Sequence, residues 1–234
     1  MKLKSIPGLD VLKFSMALLV VAIHAEAVNI YKNIYAIIHP LTDIAVPLFF
    51  LISSFLVFSK IRLSNDSRET LLHFSKRLLI LYAFWMLIQT PLNSFPVSLM
   101  WITCGYILSN IQVSKVISNC NNLILISIFI ISWILSIILS WDMRFFMVSS
   151  LFILSFNWNI SYKPIHKYMR QSSILIYITH FIFIVLFRHL FPKIEILQHG
   201  IILYIILIIL CLLTSFIILR LKEYKIFSWL KYSY

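Results

Sequence analysis

Glycine occurs only three times in this chain of 234 residues, acidic residues eight times and cysteine three times. Each scarcity excludes something. So few glycines, set among long Ile/Leu runs such as Ile201 to Leu213, leave no room for the short alternating strands and frequent turns of a membrane-spanning barrel. Cys104, Cys120 and Cys211 are an odd count without CxxC spacing, so neither a disulfide framework nor a metal site is expected. No Gly-, Ser- or Pro-rich stretch is long enough to be a linker, and no fixed-period repeat is visible. The largest polar segment runs only from Lys60 to Arg77, which leaves no space for a soluble catalytic domain. Residues 1–234 are therefore expected to form a single membrane domain, and any chemistry must come from helix-borne residues and short loops.

What is present is apolar. Hydrophobic residues make up 61% of the chain, charged ones only 12%, and the mean hydropathy is +0.96, values that point to a polytopic membrane protein. The predicted class is all-α, a bundle of about eight transmembrane helices: Leu9–Ile30, Leu41–Ser59, Phe74–Gln89, Val97–Ile111, Leu123–Ser140, Arg144–Asn159, Ser172–Leu190 and Gly200–Leu219. Its net charge of +12 invites a nucleic-acid reading, but the basic residues separate by loop instead. On this topology only Lys32, Arg144, Arg188 and Lys193 of the twenty lie on one side, and the other sixteen define the cytoplasmic face. Both termini are then cytoplasmic, membrane lipid is the surrounding partner, and nucleic acid is not one. Lys2, Lys4, the apolar run after them and Ala25-Glu26-Ala27 imitate a secretory signal. Lys13 interrupts that run, so the segment is expected to stay as the first span.

That first span holds the most informative residues. Asp10, Lys13 and His24 fall near one helical stripe, with Lys13 and His24 roughly 16 Å apart along the axis. An ionisable residue at bilayer depth normally faces a protein interior or a wet cavity and is a functional candidate by default. A neutral imidazole can take a proton from an attacking hydroxyl and return it to a leaving group, which makes His24 a candidate general base. A structural hydrogen bond between helices is the other reading of the same residue. Lys13 could hold an anionic group such as a phosphate while the reacting end of that ligand rises toward the imidazole. It could equally snorkel to the headgroups, with Asp10 placed favourably in the first helical turn.

Four blocks, in order along the chain, bring a family into view. They are Leu9-Asp10-Val11-Leu12-Lys13 followed by Val20-Val21-Ala22-Ile23-His24; Val46-Pro47-Leu48-Phe49-Phe50-Leu51-Ile52-Ser53-Ser54-Phe55-Leu56; Lys76-Arg77-Leu78-Leu79 with Tyr82 and Trp85; and Ser172-Ser173-Ile174-Leu175-Ile176-Tyr177-Ile178-Thr179-His180-Phe181. In these the chain resembles membrane-bound acyltransferase family 3, which includes O-acetyltransferases of bacterial surface polysaccharides. The resemblance implies transfer of an acetyl or similar acyl group from cytoplasmic acyl-CoA to a hydroxyl of a cell-surface glycan or lipid-linked sugar, in the bacterial cytoplasmic membrane. It implies His24 as the catalytic base, Lys13, Lys76 and Arg77 as donor contacts, and Asp10, Ser53, Tyr177 and His180 as cavity-lining residues. Acyl-CoA, with acetyl-CoA the expected form, enters as a substrate, and no bound cofactor is expected.

The chain also departs from the family pattern. Lys13 stands where arginine is usual and cannot make a bidentate planar contact to phosphate. Ser54 stands where glycine is usual, Ile80 where a second arginine often follows, and Leu81 where proline is common. About eight spans replace the usual ten or so. A short active member, an inactive acyltransferase-like protein and a transporter therefore stay open, although clear internal repeats and paired broken spans, common in transporters, are lacking.

Overall fold

A computed structural model describes residues 6–27, 32–63, 72, 94–110, 119–139 and 142–221. Among these the structure is helical, without strands: α1 Pro7–His24, α2 Lys32–Asp43, α3 Ala45–Leu63, α4 Ser94–Leu108, α5 Asn122–Leu139, α6 Arg144–Asn157, α7 Pro164–Leu190, a 3-10 turn Glu195–Leu197, and α8 Ile201–Leu221. Five stretches are long and apolar enough to cross a membrane, namely α1, Tyr35–Arg62 across α2 and α3, α5, α7 and α8. Two expected spans are shorter. Helices α4 and α6 have 15 and 14 residues, about 21–23 Å of rise against a hydrocarbon core of about 30 Å. The expected span Phe74–Gln89 lies outside the described residues, as do Lys76, Arg77, Ile80 and Leu81.

Helix α1 starts on Pro7, whose fixed φ suits the first turn and whose missing N–H is not needed there, and Asp10 complements the positive end of the helix dipole. It stops earlier than expected. The expected limit was Ile30, but Glu26 adopts φ 54°, Glu26 N donates to Ile23 O at 3.1 Å, and Ala27 N donates to Ala22 O at 3.1 Å. This pair of bonds closes a Schellman-type end, at which glycine is the usual left-handed residue. With a Cβ the same conformation costs about 1–2 kcal/mol. No glycine marked the stop in the sequence, and His24 becomes the last residue of the helix rather than a mid-span one.

Helix α2 contains Pro40, which cannot donate to the carbonyl one turn back. One turn before the proline, the Trp133 indole N–H of α5 donates to Ile37 O at 2.9 Å, tying α2 to its neighbour. Helix α7 begins at Pro164, eight residues before the expected Ser172, because its polar first turns continue the helix beyond the apolar segment. There Lys163 N donates to His166 Nδ1 at 2.9 Å and closes the start.

The core is built around α1. Leu9, Leu12, Met16 and Val20 on one face pack with Leu48, Phe49, Ile52 and Phe55 of α3, Met147 and Phe152 of α6, and Tyr177 of α7. On a second face the small side chains of Ala17, Val21 and Ala25 let α7 and α8 approach, through Ile176, Ile184, Leu203, Leu207 and Cys211. Helix α5 instead turns Leu123, Ile124, Ile131 and Ile138 outward and buries only Leu125 and Ser132, the pattern of a lipid-facing helix. Two close approaches rest on glycine. A Cβ on Gly8 would fall 2.0 Å from Ser155 O in α6, and one on Gly105 would fall 1.9 Å from Ser54 Oγ in α3.

Candidate functional site

The site lies along the seam between α1 and α7, which run parallel although most of the chain separates them. Register is fixed at three levels: Arg170 Nε lies 3.6 Å from Asp10 Oδ1, the His180 ring lies beside His24, and Arg188 Nη2 donates to Glu26 Oε1 at 3.1 Å. Numbers rise together on both helices, so both run the same way.

From the beginning of α1 upward, charged and aromatic groups follow one another. Asp10 is buried against the Arg170 guanidinium. Lys13, 4% exposed, does not snorkel: its Nζ lies 4.8 Å from the centroid of the Phe49 ring. Such a cation–π contact stabilises by about 0.5–2 kcal/mol, more when water is excluded. The other partner of Phe49 is Tyr177, stacked at 4.5 Å and 12° between planes. Tyr177 is 6.0 Å from His180, centroid to centroid, and His180 is 5.2 Å from His24 at 38°. Phe181 closes one side of His24 edge-on at 6.3 Å. A continuous row thus joins a buried cation at one level to two imidazoles at the other.

The two histidines differ in setting. His180 is fully buried and its Nδ1 lies 3.0 Å from Ile176 O. Since a carbonyl only accepts, Nδ1 is the donor in this contact, which leaves Nε2 as the ring nitrogen not engaged by the α7 backbone. His24, half-buried at the end of α1, is the more accessible of the two. Helix α7 can lie this close because its inward serines satisfy themselves: Ser172 Oγ donates to Tyr168 O at 2.8 Å and Ser173 Oγ to Arg170 O at 2.9 Å.

Of the residues singled out from sequence, Asp10, Lys13, His24, Tyr177 and His180 meet along this seam. Ser53 does something local, donating to Phe49 O at 2.6 Å one turn back on α3. Lys76 and Arg77 lie outside the described residues. Phe49, Arg170, Glu26 and Arg188 were missed as site residues. Phe49 sits in plain view within an apolar block, the two arginines count in the sequence only toward the sidedness of the basic residues, and Glu26 only as part of the signal-like Ala25-Glu26-Ala27 pattern. Their partners are distant in sequence, so no local pattern pointed to them.

Beyond the seam, Arg188 Nε donates to Gln198 O at 3.3 Å, its Nη2 reaches His24 O at 3.5 Å, and Gly200 N donates to Ala25 O at 2.7 Å. The Arg188–Glu26 pair is itself nearly half exposed, and an exposed pair of this kind is worth about 0–1 kcal/mol.

Residues 6–99 match the family model for an acyltransferase domain, that of acyltransferase family 3. The match spans α1 to the first residues of α4 and therefore includes Asp10, Lys13, His24 and Ser53, while Tyr177 and His180 lie beyond it. It supports a family 3 member, consistent with a short or truncated one, and in general terms a membrane acyltransferase. No curated protein and no solved structure matches the chain. The departure at Ser54 acquires a physical counterpart in the fold. At this crossing the Ser54 hydroxyl lies directly against Gly105 of α4, where a Cβ would fall 1.9 Å from its oxygen.

Proposed function

We propose that the protein transfers an acetyl or similar acyl group from cytoplasmic acyl-CoA to a hydroxyl of a cell-surface glycan or lipid-linked sugar, in the bacterial cytoplasmic membrane. The observation that carries this reading is the placement of His24 against His180 at 5.2 Å, on the same seam as the buried Lys13. With the basic loops cytoplasmic, the beginning of α1 faces the donor. Lys13, with Lys76 and Arg77, holds the phosphates of the coenzyme, and the thioester extends along the seam toward His24, a span that coenzyme A is long enough to cover. Asp10, Ser53, Tyr177 and His180 line the path.

The chemistry asked of the protein is modest, because a thioester already has a good leaving group. The acceptor oxygen attacks the thioester carbonyl while His24 takes the hydroxyl proton. The carbon–sulfur bond then breaks, the proton passes from His24 to the departing thiolate, and an ester and free coenzyme A thiol remain. Positioning and proton transfer account for the acceleration.

Thiol release from acetyl-CoA by purified, lipid-reconstituted protein, with envelope extract as acceptor, tests the reading. Wild type is expected to turn over, and His24→Ala to lose at least about a hundredfold in rate. Release that is equal in both sinks His24 as the base. Absence of release from wild type favours an inactive relative or a transporter, which uptake into proteoliposomes separates.

A further inference from the structure

Glu26 occupies a backbone position that favours glycine, at φ 54°, and its carboxylate accepts from Arg188 at 3.1 Å. Neither fact is explained by stability. A glycine would relieve the left-handed conformation, and an ion pair this exposed contributes little to holding the fold. Strained non-glycine residues that persist tend to sit where the strain serves a site. Here the location is informative. Glu26 follows His24 by two residues, and the same guanidinium that binds its carboxylate also reaches His24 O at 3.5 Å and Gln198 O at 3.3 Å. Gly200 N meanwhile binds Ala25 O at 2.7 Å, so α7 and the segment before α8 both converge on the residues flanking His24. Helix α1 ends at that point, and a histidine on a terminal turn lacks the following turns that would fix its backbone.

We propose that Glu26 and Arg188 form a positioning pair that clamps the last turn of α1 to α7 and so holds the His24 imidazole against His180. This deepens the acyl-transfer reading and rests on it for its catalytic consequence. The pair touches no reacting atom. It ties the capped end of α1 to α7, and the left-handed backbone at Glu26 places the carboxylate beside the guanidinium of α7.

The test uses the full chain in lipid, with Glu26→Gly, Arg188→Gln and the double variant. Three readouts are followed: the melting temperature, kcat and KM for acetyl-CoA, and the rate at which diethyl pyrocarbonate modifies His24, resolved by peptide mapping. In Glu26→Gly the melting temperature is expected to stay level or rise while kcat falls about tenfold at unchanged KM, since a modest displacement of a catalytic group is costly. His24 modification is expected to quicken several-fold in either single variant, and the double variant to be no worse than the poorer single one. Wild-type modification rates in both single variants, or losses that add in the double variant, overturn the proposal. So does a fall in kcat that merely follows a lowered melting temperature. A wild type without turnover removes the acyl-transfer reading alone, because the modification rates still decide whether the pair holds His24.

Discussion

At the scale of residues, burial separates groups that composition treats alike. Asp10 and Asp142 are both aspartates paired with arginine, yet the first is buried against Arg170 while the second lies on the surface beside Arg144. Removing Asp10 leaves the partly exposed Arg170 guanidinium without its carboxylate. Asp10→Ala is expected to lower stability by about 2–4 kcal/mol, read as a reduced melting temperature, with Asp10→Asn milder because its oxygen still accepts. At Asp142 the bonds from the Arg144 guanidinium hold the carboxyl below the usual aspartate range. A depressed carboxylate stabilises the fold at neutral pH, and that contribution is lost as pH falls through its lowered value. Asp142→Asn should therefore cost less than about 1 kcal/mol at pH 7, and the difference from wild type should vanish in strong acid, as melting curves across pH will show. The stripe of Asp10, Lys13 and His24 was legible because helical periodicity is local. Phe49 under Lys13 and Glu26 with Arg188 were not, because the contacts that give them meaning cross between helices.

At the scale of elements, most helices could be read from apolar run length, and the errors cluster at their ends. Polar turns carried α7 past its apolar segment to Pro164, and a left-handed glutamate stopped α1 at His24 where hydropathy ran on. Hydropathy measures where lipid could be, whereas helix ends are set by backbone hydrogen bonds, so the two need not coincide. Close packing was likewise invisible in sequence. The crossing of α3 and α4 depends on Gly105, where a new Cβ would meet Ser54 Oγ at 1.9 Å and Leu51 O at 2.8 Å. Gly105→Ala is expected to destabilise by about 1–3 kcal/mol. Ser54→Gly in the same chain should restore only part of that loss, because the backbone contact remains. Thermal melting of the single and double variants checks both statements, and full recovery in the double variant would contradict the second.

At the scale of the whole molecule, the parallel course of α1 and α7 agrees with an even number of crossings between the end of one and the end of the other. The distribution of basic residues predicts the side. With single cysteines placed at Lys60 and Glu195, an impermeant maleimide added to intact cells is expected to label the second and spare the first until the membrane is opened. Labelling in the reverse order would invert the bundle and move the proposed donor face with it. The membrane class and helical architecture followed directly from composition. Which helices surround the site did not, since apolar runs look alike whether they turn their side chains outward, as α5 does, or enclose α1.

The partnership of α1 with α7 also orders events during synthesis. A ribosome delivers α1 to the membrane well before α7 exists, and the bond between Arg188 and His24 spans 164 residues. Until α7 arrives, Asp10 lacks the Arg170 guanidinium that it faces in the finished bundle. Nascent chains arrested before residue 164 should consequently linger near the insertion machinery or be cleared by quality-control proteases, and those arrested after α7 should escape both. The histidine site is assembled late, from two helices whose synthesis is separated by that of most of the chain.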